Sequence, residues 1–233
     1  MLSLEEIGLW LLSISLPILA VYFGYLIITR AFNNMGFSSV EAIIIVFLSA
    51  LLGYGFFNSI IGISFNNLPL FQYNNWQVGI NTGGAIIPIA LSIYLGIKHR
   101  YSLKRLGLGI IIVSIVTYLV TQPNPEKGIV AVFPLWIAPI LAASIVSFWF
   151  LWDSRRNPGP FAYICGTMGV LIGADIFHLI ELLQMEISSE TPAIIGGAVV
   201  FDMVFITGIL AVLLDGVVTF QNPSSEKKKT TQT

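Results

Sequence analysis

The sequence predicts an all-α fold, a polytopic bundle of about seven membrane-crossing helices, and three observations carry that reading. Only 10% of the 233 residues are charged and 56% are hydrophobic, whereas a soluble domain carries about 25% charged residues. The apolar residues fall in blocks close to the roughly 20 needed to cross a bilayer. The basic residues then sort onto alternate loops, as they do in polytopic membrane proteins. Together these features argue against a water-soluble enzyme and against nucleic-acid binding. They point to a multi-pass protein of the cell membrane, with lipid as its surroundings.

The spans are drawn at roughly 8–29, 42–63, 79–97, 106–121, 130–151, 161–183 and 193–218. The first is too long for a signal-peptide core and follows Glu5 and Glu6 rather than a basic stretch, so it is expected to stay as a helix. The second follows Arg30. The third opens on Asn81-Thr-Gly-Gly-Ala-Ile-Ile-Pro88, whose proline frees a carbonyl and invites a kink. Between the second and third lies the longest connection, Ser64 to Gln77, with Asn66, Asn67, Asn74 and Asn75 interleaved with aromatic residues. That pattern suits a short hairpin or an interfacial cap. The turn Thr121 to Gly128 holds Pro123 and Pro125 and should be stiff. The sixth span carries Gly166, Gly169 and Gly173 on one face, a pattern for close helix packing. Residues 1–220 are expected to form the membrane domain, and 221–233 a disordered Lys-rich cytoplasmic tail.

With this span count, ten of the eleven basic residues lie on one side and only Lys127 on the other. The N-terminus is therefore expected outside and the C-terminus in the cytoplasm. Glu5, Glu6, Glu126, Glu186 and Glu190 make the outer side acidic. The single cysteine, Cys165, excludes an intrachain disulfide and a multi-cysteine metal site.

Charged residues inside spans cost roughly 2.5–3.5 kcal/mol on insertion scales, and they mark functional positions. Asp175 in span six and Asp202 in span seven stand at about the same depth, some 12–14 Å below the outer end. On consecutive antiparallel helices they could face each other. Facing carboxylates in a low dielectric share a proton. That arrangement suits activation of water for hydrolysis, or proton-coupled transport and cation binding. It also suits a hydrogen-bonded pair that fixes helix packing. His178 and Glu181 follow Asp175 at steps of three and fan over one helix face, so His178 is expected to serve as a neighbour of Asp175. Asp175, His178 and Asp202 are also the weak candidates for a divalent metal site, although no metal is expected. Asn81 joins Gly84, Pro88 and Ser92 in a polar and small-residue stripe that could meet the acids.

Three segments carry a resemblance: Asn81 to Pro88, Ile172-Gly-Ala-Asp-Ile-Phe-His-Leu179, and Gly196-Gly-Ala-Val-Val-Phe-Asp202 with Phe205-Ile-Thr-Gly-Ile209 after it. They resemble a prokaryotic multi-pass membrane family of unknown function. More distantly, the two aspartates are similar to those of presenilin-type and prepilin-type diaspartyl proteases. Those enzymes place one aspartate on each of two helices, one of them in a Gly-x-Gly-Asp motif, where this chain has Ile172-Gly-Ala before Asp175. That resemblance implies catalytic roles for Asp175 and Asp202.

The functional expectation is an acidic pocket in the outer half of the bundle. Asp175 and Asp202 would be its catalytic centre, with Asn81, His178 and Glu181 as binding neighbours. The leading activity is diaspartyl intramembrane hydrolysis of a membrane-embedded peptide. The alternatives are a proton- or cation-coupled transporter or channel, and a structural or partner-holding role. The residues point to no particular cofactor or oligomeric state.

Overall fold

The computed structural model describes residues 4–56, 58, 65–126, 128–131, 134–152, 157–197 and 202–220. The expected Lys-rich tail lies outside them. Among the described residues seven helices succeed one another. They are α1 (Leu4–Asn34), α2 (Ser39–Gly53), α3 (Ile87–His99), α4 (Leu103–Val120), α5 (Ala138–Leu151), α6 (Pro158–Leu183) and α7 (Met203–Phe220). Three stretches, Leu9–Asn34, Leu103–Val120 and Pro158–Leu183, are long and apolar enough to cross a membrane.

Local chemistry sets the helix ends. Ser38 caps α2 in a reciprocal box: its hydroxyl accepts the Glu41 N–H at 3.2 Å, and the Glu41 carboxylate accepts the Ser38 N–H at 2.7 Å. Two free amides of the first turn are thereby satisfied. The Ser38 bonds, backbone first and then hydroxyl, hold the Glu41 carboxyl below the ordinary glutamate range, with Lys98 adding to the effect. Asn157 caps α6 and Pro158 opens it, where the missing proline N–H costs nothing.

Helix α6 is the centre of the bundle, with α3, α4, α5 and α7 packed around it. Its glycines explain the close approach. A Cβ at Gly169 would stand 2.5 Å from Val113 of α4, and one at Gly173 would meet Thr117 at 2.8 Å. At Gly166 it would press on Thr207 and Gly208 of α7. Phe161, Tyr163, Val113 and Val212 form the buried core of this packing. The outer surfaces are apolar as well, with Leu11, Val21, Ile93, Ile111 and Ile145 all exposed. That pattern suits a lipid solvent.

The helical bundle matches the expectation, and at one end it carries five short strands among the described residues, of which the sequence reading anticipates only a hairpin in the Ser64–Gln77 connection. β1 (Asn67–Tyr73) and β2 (Trp76–Asn81) form an antiparallel hairpin, and β5 (Thr191–Ile195) pairs parallel with β2. β3 (Thr121–Asn124) and β4 (Gly128–Ala131) form a second hairpin. The Asn-rich connection is thus a hairpin, with Asn74 in the left-handed region at its tip. The stiff turn at Pro123 is a hairpin too.

These strands correct several span boundaries. Span seven does not begin at Ala193. Thr191–Ile195 is extended, and the helix starts at Met203. Pro192 fits the edge position that β5 occupies. Gly196 and Gly197 have φ of +87° and +62°, which no right-handed helix admits. Span three loses its first residues to β2 and begins with a π-helical turn, Thr82–Ile86. Span five gives its first two residues, Val130 and Ala131, to β4 (Gly128–Ala131), and its α-helix begins only at Ala138, after a 3-10 turn at Leu135–Ile137. α2 ends at Gly53, and most of the remainder of span two lies outside the described residues.

Candidate functional site

The two candidate acids reach one place by different routes. Asp175 lies in α6 where the helix widens into a π segment, Leu171–Ile176. A π turn adds a residue to the helical ladder and rotates the remainder of the helix by roughly 100°. Asp175 is 7% exposed, and its Oδ2 accepts the Gly196 N–H at 2.6 Å. Asp202 is the residue before α7. Its carbonyl accepts the Ile206 N–H at 3.0 Å, and its Oδ1 accepts the Met203 N–H at 2.6 Å.

The Gly196–Gly197 turn links the two acids. Gly196 packs against Ala85 of the π turn, where a Cβ would stand 2.7 Å from the Ala85 nitrogen. Gly197 lies against the Asp202 carboxylate, and any Cβ there would collide with it. Neither position has room for a side chain, and both need the left-handed backbone that glycine adopts freely.

A cavity of about 620 Å³ opens at this point, and both Asp175 and Asp202 line it. Trp76 of β2, Ile194 of β5, Thr121 of β3 and Trp136 complete much of its wall. Asp202 is close enough to bear electrostatically on Asp175. The site therefore joins two acids to a mostly apolar, aromatic-walled space at the strand-bearing end of the bundle.

The other expected residues sit differently. Asn81 is fully buried and committed to the backbone. Its Oδ1 accepts the Gly84 N–H at 2.7 Å, and its Nδ2 donates to Gly53 O at 3.2 Å and to Asn67 Oδ1 at 2.8 Å. It ties α2, β1 and the π turn together and does not line the cavity. His178 turns away from Asp175. Its Nδ1 pairs with Glu181 Oε2 at 3.0 Å, and its Nε2 with Thr121 Oγ1 at 3.0 Å. Tyr118 stacks on the imidazole at 4.5 Å and donates its hydroxyl to Glu181. This network fixes the start of β3, so His178 and Glu181 reach the cavity wall only through Thr121. Among the described residues no group of three His, Cys, Asp or Glu side chains is placed to hold a metal. The triad of Asp175, His178 and Asp202 does not assemble.

Sequence reasoning missed Trp76, Thr121, Trp136 and the glycine turn. The turn had a signal in Gly196-Gly197 shortly before an acid. The tryptophans had none, because interfacial aromatics look alike in sequence.

The fold and cavity define a helical membrane protein with a paired-acid pocket. The family described as "Protein of unknown function (DUF1614)" matches residues 56–214, and the chain belongs to it. Both aspartates and every strand described above fall within that match. No curated protein matches the chain, and no solved structure matches it.

Proposed function

We propose that this protein is a diaspartyl intramembrane hydrolase that cuts a membrane-embedded peptide. What supports the reading is a single observation: two carboxylates border one cavity of about 620 Å³. That volume suits an organic ligand, since small-molecule pockets run about 300–1,000 Å³. One water occupies roughly 30 Å³, so a bare proton or hydrated ion has no need of such a space.

In this reading a water lies between Asp175 and Asp202. One carboxylate takes a proton from it as the oxygen attacks the peptide carbonyl. The other carboxyl gives its proton to the carbonyl oxygen, forming a tetrahedral intermediate. Collapse of that intermediate breaks the C–N bond, and a carboxyl protonates the departing amine. The apolar wall excludes bulk water and accepts apolar side chains.

The chain is oriented with its N-terminus outside and its C-terminus in the cytoplasm, which sets the pocket in the outer half. The basic-residue distribution supports this orientation.

The test is cleavage of apolar transmembrane peptides by purified protein in detergent. Asp175→Asn and Asp202→Asn should each lower the rate about 10²–10⁴-fold, the usual range for a lost acid or base. Full activity in both variants would sink the reading. A second reading, a proton- or cation-coupled transporter or channel, draws on the same acids and on polar groups buried below them between α6 and α7.

A further inference from the structure

The cavity that Asp175 and Asp202 border has an uneven chemical balance. Glu126, exposed on the β3–β4 turn, lines it as a third carboxylate. Among the described residues no Lys, Arg or His side chain lines it. Lys127, next to Glu126 in sequence, lies outside the described residues. The two aspartates are also only half used. Asp175 is 7% exposed, and its Oδ2 accepts the Gly196 N–H while Asp202 Oδ1 accepts the Met203 N–H. Among the described residues nothing donates to Asp175 Oδ1 or to Asp202 Oδ2. Buried carboxylate oxygens are normally hydrogen-bonded. Water in the cavity satisfies such an oxygen without balancing its charge.

The donors in the wall are already engaged. Thr121 gives its hydroxyl proton to Thr117 O at 2.8 Å, and Thr191 gives its own to Ser189 O at 3.1 Å. The Trp76 indole N–H donates to Met185 O at 3.1 Å. Of the described side-chain donors that line the cavity, only the Trp136 indole is left. Apolar side chains such as Ile129, Val170 and Ile206 make up much of the remaining wall. An anion would meet three carboxylates with almost nothing to hold it. A neutral ligand would leave the charge unbalanced. A cation with N–H groups supplies both what the carboxylates lack and charge-assisted hydrogen bonds. A bare metal ion fits poorly, because hard cations take six or more oxygen ligands and the space of about 620 Å³ suits an organic molecule.

We infer that this cavity is a binding site for an organic monocation, a primary ammonium group on an apolar body. The ammonium donates to the oxygens that the chain leaves free on Asp175 and Asp202. The Trp136 ring adds cation–π attraction, and the apolar body lies against Ile129, Val170 and Ile206. Glu126 at the exposed rim draws the cation toward the mouth. Binding involves no covalent step. It does not rest on the hydrolase reading, and a bound ammonium competes with the peptide of that reading for the same two carboxylates.

The test is titration calorimetry on the full chain in detergent, with detergent alone as the blank. The probe is phenethylammonium, set against phenethyl alcohol and hydrocinnamate, which keep the aromatic ring and change the charge. The ammonium should bind saturably at one site, and the alcohol and the carboxylate about tenfold more weakly or less. Asp175→Asn should weaken the ammonium about tenfold, Trp136→Leu about threefold, and Glu126→Gln less than Asp175→Asn. The comparison of ligands on wild-type protein decides the matter even where a variant fails to fold. Equal affinity for all three ligands would overturn the inference. So would displacement of the ammonium by sodium or potassium chloride at equal concentration, which would mark an inorganic-cation site. Ammonium binding without peptide cleavage would remove the hydrolase and keep the cation site. Peptide cleavage without ammonium binding would do the reverse.

Discussion

Asp175 makes two demands on its surroundings, and they can be separated. Its Oδ2 holds the Gly196 N–H at 2.6 Å in a buried turn. Asp175→Ala leaves that donor without a partner and should destabilise the fold by about 1–3 kcal/mol. Asp175→Asn keeps an acceptor and should cost clearly less, while still removing any acid–base function. Thermal unfolding in detergent reads the difference. Equal melting of wild type and both variants would show that the hydrogen bond carries no structural weight. The sequence singled out this residue because a carboxylate inside an apolar run is costly. It pointed His178 at the wrong acid, since a three-residue step suits both Asp175 and Glu181. The π segment at Leu171–Ile176 rotates one relative to the other, and Thr121 then takes the remaining imidazole nitrogen.

Element packing turns on the small residues of α6. Gly173→Val would drive two methyls into Ser114 and Thr117 of α4, against backbone that cannot yield as a side-chain end would. Overpacking of this kind costs roughly 1–3 kcal/mol. The variant should melt lower and expose the α4 amides to hydrogen exchange, and an unchanged melting temperature would show that α4 and α6 do not pack this closely. The glycine spacing announced this contact, because a run of small residues at helical steps has few other uses. The strands were harder to foresee. Thr191-Pro-Ala-Ile-Ile195 reads equally as the head of an apolar helix, and only pairing with β2 makes it extended. Short apolar runs lack the periodicity that separates strand from helix. The equal-depth argument therefore fails for Asp202, which precedes α7 instead of lying well inside it. The acids share the cavity because β5 and the Gly196–Gly197 turn carry the chain back to Asp175.

At the scale of the whole molecule, orientation is the property most open to a direct test. In a Cys165→Ala background, Asn74→Cys at the β1–β2 tip should react with a membrane-impermeant maleimide added outside intact cells. Lys104→Cys, in the first turn of α4, should react only after permeabilisation. The reverse pattern would invert the orientation and move the acidic cavity to the cytoplasmic half.

The sequence by itself determined the helical class, the approximate place of the seven helices and the two acids worth attention. Those come from composition and from residues whose cost in an apolar setting is large whatever their neighbours. Tertiary structure alone decided that Asn81 serves the backbone, that His178 serves Glu181 and Thr121, and that strands wall the cavity. Each of those outcomes depends on which partner arrives at hydrogen-bonding distance, and local chain order does not encode that for residues brought together from distant elements.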